Sequence, residues 1–197
     1  VVFLLVDRKS PGITITPHVG FFVSVAEVRF DKVAVAPNQL LGSSGASWAT
    51  FEAALDKALP ILCAYQVGAT QEVFDMTCEY TRTRVVFGQP IGRFQRVQDH
   101  CVDLSIHLDQ ARWATNETLW RIDSGMPARA AVHEAKAVAS DGYYHGTNYA
   151  HMVWAGPGTD YSHPMMAHSV LAHTLYQYLG TPGHHKRLMI DALYPRA

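Results

Sequence analysis

The chain of 197 residues holds only three cysteines, Cys63, Cys78 and Cys101, with no CxxC spacing. An odd, scattered set builds neither a disulfide framework nor a cysteine zinc site, and reduced thiols in a cytoplasmic protein are the expectation. Charge is sparse at 17% and balanced, with 16 Lys and Arg against 17 Asp and Glu, net −1 and a pI near 6.9. That balance leaves no basic face for nucleic acid. The longest opening apolar run, Val1 to Val6, stops at Asp7-Arg8-Lys9. It is too short to cross a membrane and lacks the charged start of a signal peptide. The eleven histidines include no HExxH, and the pairs His168/His173 and His184/His185 miss the i,i+4 spacing that sets two ligands on one helix face. Ser162 and Ser169 lack a nucleophile elbow. Gly156-Pro157-Gly158 is a helix stop rather than a GxGxxG loop. Internal repeats and low-complexity tracts are missing as well.

What is present is a 48% hydrophobic chain, enough to bury a sizeable core. Residues 1 to about 36 are β-rich: a buried strand at Val1 to Val6, the alternating Ile13-Thr14-Ile15-Thr16 ended by Pro17, then Phe21 to Val25 and Glu27 to Val33. Three or four strands are too little sheet to stand alone, so they are expected to complete a barrel or sandwich begun upstream. The chain opens without Met inside a strand, as the C-terminal part of a longer protein would. Leu40 to Gly45 forms a Gly/Ser linker and sets the boundary between residues 1–45 and 46–197. Beyond it the pattern turns helical. Long helices are predicted over 48–84, with Pro60 as a kink, and over 94–122, with a seam of Val97, Cys101, Leu104, Leu108, Ala111, Thr115 and Ile122. A third carries Ala131, Ala135, Val138, Gly142, His145, Tyr149 and Met152 on one seam and ends at Gly156. Shorter helices follow at 164–178 and 183–193. The fold class is mainly α, a helical bundle behind a β tail.

Between the first two helices lies Arg82-Thr83-Arg84-Val85-Val86-Phe87-Gly88-Gln89-Pro90-Ile91-Gly92-Arg93-Phe94-Gln95. Guanidinium groups grip phosphate bidentately, and an aromatic ring beside them can lie against a flat ligand. The same residues also suit a plain helix terminus, with arginines capping carbonyls and Phe87 in the core.

The order of these features, strands ending in Val33-Ala34-Val35-Ala36-Pro37, a long helix, the pattern R-x-x-F-G-x-P-I-x-x-F-Q, two more helices and Gly156-Pro157-Gly158, resembles the C-terminal half of the acyl-CoA dehydrogenase family. The likeness covers essentially the whole chain. It implies the tail of a middle β-domain followed by the C-terminal four-helix bundle, in a tetrameric flavoenzyme whose FAD lies across a subunit interface. Arg84 matches the family's pyrophosphate-gripping arginine, Phe87 the aromatic beside it, and Gln95 a nearby polar contact. Residues 152–158 match a Q-x-x-G-G-x-G turn near the adenine, with Met152 for the glutamine, Ala155 for the first glycine, and Gly156 retained.

Two departures fall on the catalytic base. Most members carry a glutamate ahead of a Gly-Thr pair before the last helix, where this chain has Leu179-Gly180-Thr181. Others place it on the first bundle helix, where this chain has Ala58. Neither side chain accepts a proton. The resemblance therefore implies a non-catalytic subunit, similar to the base-lacking subunits of actinobacterial heteromeric acyl-CoA dehydrogenases. Such a chain pairs with a homologous catalytic subunit that handles the acyl-CoA. The alternatives are an active homomeric enzyme with a displaced acid at Asp56, Glu52 or Asp160, and a monooxygenase or scaffold of the same fold.

Overall fold

The computed structural model describes residues 2–20, 24–42 and 48–195. Its chain divides into two compact units, Val1–Lys57 and Ala58–Ala197. In the first, strands β1 (Ile13–His18) and β2 (Val25–Phe30) pair antiparallel, Ile13 opposite Phe30 and His18 opposite Val25. The alternation of Ile13-Thr14-Ile15-Thr16 is the pattern of a strand with one apolar face. Pro17 does not end β1 as expected. It sits opposite Ala26 within the ladder, a position open to proline on an edge strand, where no N–H is needed. The apolar opening run forms one bridge, Leu4 to Leu40, flanked by Leu5 N–H to Gln39 O at 2.8 Å and Leu41 N–H to Phe3 O at 2.9 Å. It is not the buried strand its composition suggests, since Leu4 and Leu5 are exposed. Among the described residues of this first unit, two strands and this bridge, rather than three or four strands, make up the β structure. The strand expected across Phe21 to Val25 lies partly outside the described residues, and Ser43 to Gly45 of the linker lie outside them.

The helices are α1 (Trp48–Thr83), α2 (Gln95–Asp123), α3 (Arg129–Trp154), α4 (Pro164–Gln177) and α5 (Pro182–Leu193). Helix α1 continues through Pro60. Its buried seam of Leu59, Cys63, Gln66, Thr70, Val73, Thr77 and Thr81 is half polar. The threonines are tolerated because their hydroxyls donate back to their own helix, Thr70 to Gln66 O at 2.8 Å and Thr77 to Val73 O at 2.7 Å. Proline at the first helical position opens both α4 and α5. The Thr181 hydroxyl caps α5 by accepting from His184 N–H at 3.3 Å.

Helix α3 is the centre of the second unit and packs against α2, α4 and α5. Its residues are small because the neighbours come close. A Cβ on Gly142 would stand 3.0 Å from the His107 carbonyl oxygen of α2. Two expected seams are corrected here. On α2 the stripe ends at Thr118, not Ile122, because Thr118 donates to Ala131 O of α3 at 2.8 Å. On α3 the seam through His145 and Met152 fails at both positions, which are exposed. The buried line runs instead through Val132, Lys136, Ala139, Tyr143, Thr147, Ala150 and Val153. A helix covered on several sides shows no single apolar stripe, so periodicity could not choose among its faces. Among the described residues, no helix is long and apolar enough to cross a membrane.

Candidate functional site

Arg84 follows the last residue of α1 and opens a short hairpin, β3 (Val85–Val86) and β4 (Gln89–Pro90). Phe87 and Gly88 between them both have positive φ, 53° and 76°. That is the requirement of a type I′ turn, which asks for glycine and tolerates the phenylalanine at a cost of about 1 kcal/mol. The strained turn presents the Phe87 ring to solvent at 91% exposure, touched edge-to-face by Phe94 at 6.3 Å. Phe87 is therefore not core, the alternative its sequence left open. Arg84 is exposed, and among the described residues its guanidinium has no ion pair. Gln95 is the first residue of α2, whose cap residue Phe94 supplies no side-chain acceptor. Gln95 and Arg96 thus hold backbone N–H groups at a helix N-terminus without a side-chain cap, next to Arg93 and Arg96. The structure brings Arg84, Phe87 and Gln95 together around one hairpin with anion-attracting chemistry.

At the far end of α3, Met152 is 68% exposed and offers no donor. Gly156 is exposed, and a Cβ there would touch nothing. The residue between them carries the strain: Ala155 has φ 51° and ψ −134°, a region comfortable only for glycine. Ala155→Gly is expected to stabilise the chain by about 1 kcal/mol, read as a higher denaturation midpoint. An unchanged or lower midpoint would count against the strain.

Leu179 is exposed with φ 58°, followed by Gly180 at φ 114°, in the loop joining α4 to α5. Ala58 is exposed on α1. Of the acids, Asp160 takes hydrogen bonds from Ser162 N–H at 2.8 Å and Ser162 Oγ at 2.7 Å. These bonds hold its carboxyl below the usual range and weaken it as a base. Glu52 and Asp56 lie half-buried on α1.

Beneath the Leu179 loop lies a buried polar network that sequence reasoning did not find. Lys136 of α3 is fully buried, and its Nζ donates to Ser140 Oγ at 2.7 Å, Leu175 O at 3.3 Å and Gly180 O at 3.3 Å. Gln66 Nε2 donates to the same Ser140 hydroxyl at 3.2 Å. Burial pulls Lys136 down to about 8, partly opposed by the nearby Cys63 and Asp141. His185 Nε2 donates to Leu179 O at 3.0 Å, and His185 Nδ1 meets His133 Nδ1 at 3.1 Å. A carbonyl only accepts, so the His185 proton sits on Nε2. His185 is neutral, because burial pulls it down to about 4. Its Nδ1 therefore accepts, and His133 donates through Nδ1–H. The signal in the sequence was one lysine, with serine four residues on, inside the small-residue run Ala135-Lys136-Ala137-Val138-Ala139-Ser140.

The histidine pairs weighed as ligands have other roles. His168 Nδ1 is bonded to Tyr143 Oη at 2.8 Å and His173 Nδ1 to Ser169 O at 2.8 Å, while His184 stands edge-on to His185.

Comparison with known proteins follows the same architecture. Residues 45–194 match the family model "Acyl-CoA dehydrogenase, C-terminal domain". The chain is 31% identical over 159 residues to a probable acyl-CoA dehydrogenase of Bacillus subtilis, YngJ, covering 79% of this chain and 42% of that protein. Among solved structures it is similar to the FAD complex of PigA, with a TM-score of 0.93 at 23% identity over 100% of this chain and 52% of that one. It is also similar to butyryl-CoA dehydrogenase from Megasphaera elsdenii, with a TM-score of 0.88 at 23% identity over 98% and 51%. The chain spans about two fifths of the length of the curated relative and about half that of the solved structures. It belongs to the acyl-CoA dehydrogenase family and carries that family's C-terminal helical domain.

Proposed function

We propose that the chain serves an FAD-dependent acyl-CoA dehydrogenase as a subunit that holds cofactor and assembly but supplies no catalytic base. The observation that carries this reading is the pair Leu179 and Ala58, two side chains without a proton acceptor at the positions that the sequence resemblance matches to the family's bases. The hairpin fits the anionic handle of FAD. Arg84, the N–H groups of Gln95 and Arg96, and the exposed Phe87 ring offer positive charge, donors and a flat apolar surface together. Met152 fits less well, because a thioether cannot replace an amide's donors. Bound flavin would supply hydride acceptance. Arg84 would bind the pyrophosphate, and Phe87 would cover it from water.

Assembly is supported by the outer face of α2, where Val102, Ile106, Trp113 and Trp120 are all exposed. They recur at four- and seven-residue steps along one side, the spacing of a seam that packs on another helix. A base-bearing homologue is the partner this reading requires, in a tetramer that acts on an acyl-CoA thioester. Co-expression with such a homologue is expected to give a mixed tetramer holding about one flavin per two chains, its activity lost when the partner's base is replaced. A homotetramer with one flavin per chain and full dehydrogenase activity would overturn the reading. In the mixed assembly, Arg84→Ala is expected to weaken FAD binding about tenfold, as loss of one charge-assisted contact does. Flavin retention equal to the unsubstituted complex would remove Arg84 from the site.

The competing reading, an active homomeric enzyme with a displaced acid, is weakened by the bonds that occupy Asp160. Single substitutions of Glu52, Asp56 and Asp160 that all leave activity intact would dispose of it.

A further inference from the structure

Two of the three free cysteines, Cys78 of α1 and Cys101 of α2, line the same cavity of about 250 Å³ with Thr81, Arg82, Gly92 and Gln98. Each sulfur is near enough to bear on the other's ionisation, Cys101 favouring the Cys78 thiolate and Cys78 opposing that of Cys101. Neither is fully buried, in contrast to Cys63. Their chemistry is unequal. Burial raises both thiols, but at Cys78 the Arg82 guanidinium and the neighbouring Cys101 favour the thiolate, against Asp75. Cys101 is pushed up to about 11 by burial and by the neighbouring sulfur. Cys78 is thus the first of the two to ionise, and Cys101 in the same cavity is the group that would resolve a modification there.

We propose that Cys78 and Cys101 form a dithiol pair that closes to an intramolecular disulfide on meeting a small-molecule disulfide, with Cys78 attacking and Cys101 resolving. The Cys78 thiolate attacks one sulfur of the oxidant, the oxidant's S–S bond breaks, and one thiolate leaves. Cys101 then gives up its proton and attacks the Cys78 sulfur of the mixed disulfide, expelling the second thiolate. Two protein thiols are oxidised to one disulfide, the oxidant is reduced to two thiols, and the two protons released by the cysteines are taken up by them. The bond joins the last turns of α1 to the first turns of α2 and so closes a covalent ring around the hairpin of Arg84 and Phe87. It does not depend on the flavin reading, since neither sulfur contributes to it.

The test is incubation of the native chain with oxidised glutathione, acid quench, alkylation and mass analysis. The expected product is about 2 Da lighter, contains a peptide pair linked through Cys78 and Cys101, and keeps Cys63 as its alkylatable thiol. Cys101→Ser is expected to stop at a stable glutathione adduct on Cys78, whereas Cys78→Ser reacts at Cys101 at least tenfold more slowly. Stable adducts on both cysteines of the unsubstituted chain would overturn the proposal. So would failure of the folded chain to oxidise where the denatured chain does, or faster reaction at Cys101 in Cys78→Ser than at Cys78 in Cys101→Ser.

Discussion

Replacing Lys136 with methionine is expected to lower the unfolding free energy at pH 7 by about 1 kcal/mol and to flatten the alkaline limb of the stability profile. The first effect has two opposing parts. Methionine relieves the cost of burying an ammonium, a cost visible in the fall of Lys136 to about 8. It also strips the donor from Ser140 Oγ, Leu175 O and Gly180 O. Leu175 O lies in the last turn of α4, where carbonyls have no partner within the helix. Ser140 Oγ keeps the donor from Gln66, but Leu175 O and Gly180 O are left bare at about 1–3 kcal/mol each, which outweighs the relief by about 1 kcal/mol. The second effect fixes the sign independently. A lysine near 8 in the fold and 10.5 unfolded binds more protons in the unfolded state between those values. The natural chain therefore gains stability as pH rises through that window, by about 3 kcal/mol, and Lys136→Met lacks the gain. Cys63, pushed up to about 12 chiefly by burial, is present in both chains, and most of its contribution cancels in the difference. Chemical denaturation at intervals from pH 7 to 10.5 reads both effects. Parallel profiles for the two chains would show that Lys136 is not the buried, shifted group.

The helices were legible because their punctuation is local, as Pro164 at the first position of α4 and Gly125 past the end of α2 illustrate, while α5 starts one residue before its expected 183, at Pro182 behind the Thr181 cap. The hairpin was legible as a junction, yet its strained type I′ turn was not, because phenylalanine is an uncommon choice at positive φ. Two kinds of feature stayed hidden. The face of α3 that turns inward depends on how many neighbours cover it, and small residues such as Ala131, Ala137 and Gly142 fit any face. The Lys136 network depends on pairs far apart in sequence, Gln66 with Ser140 and Lys136 with Gly180, which no periodicity encodes. Read from sequence alone, His185 was half of a weak metal pair. In the fold it is one of the donors that hold the Leu179 loop, and that change of role follows from burial alone.

His185→Leu is expected to cost about 3 kcal/mol at pH 7, with a penalty that shrinks by about 2 kcal/mol as pH falls toward 4. At neutral pH the leucine leaves Leu179 O without its donor and the His133 Nδ1–H without its acceptor. The acid side reverses the balance. Burial holds His185 near 4 in the fold against 6.5 unfolded, with Lys136, His133 and His184 adding to the fall and the Leu179 carbonyl opposing it. Below 6.5 the unfolded chain takes up a proton that the folded chain refuses. The natural protein loses stability across that window, and the leucine variant does not. A penalty constant from pH 7 to 4 would mean that His185 is not held neutral. The same residues bear on function through geometry. Leu179 occupies a strained backbone position, and its own carbonyl and that of Gly180 are each held by a buried donor, so the loop is fixed in place beneath its exposed side chain. On the proposed reading, the absence of a carboxylate at residue 179 is a difference of one side chain on a supported loop, not the consequence of a loop that has lost its structure.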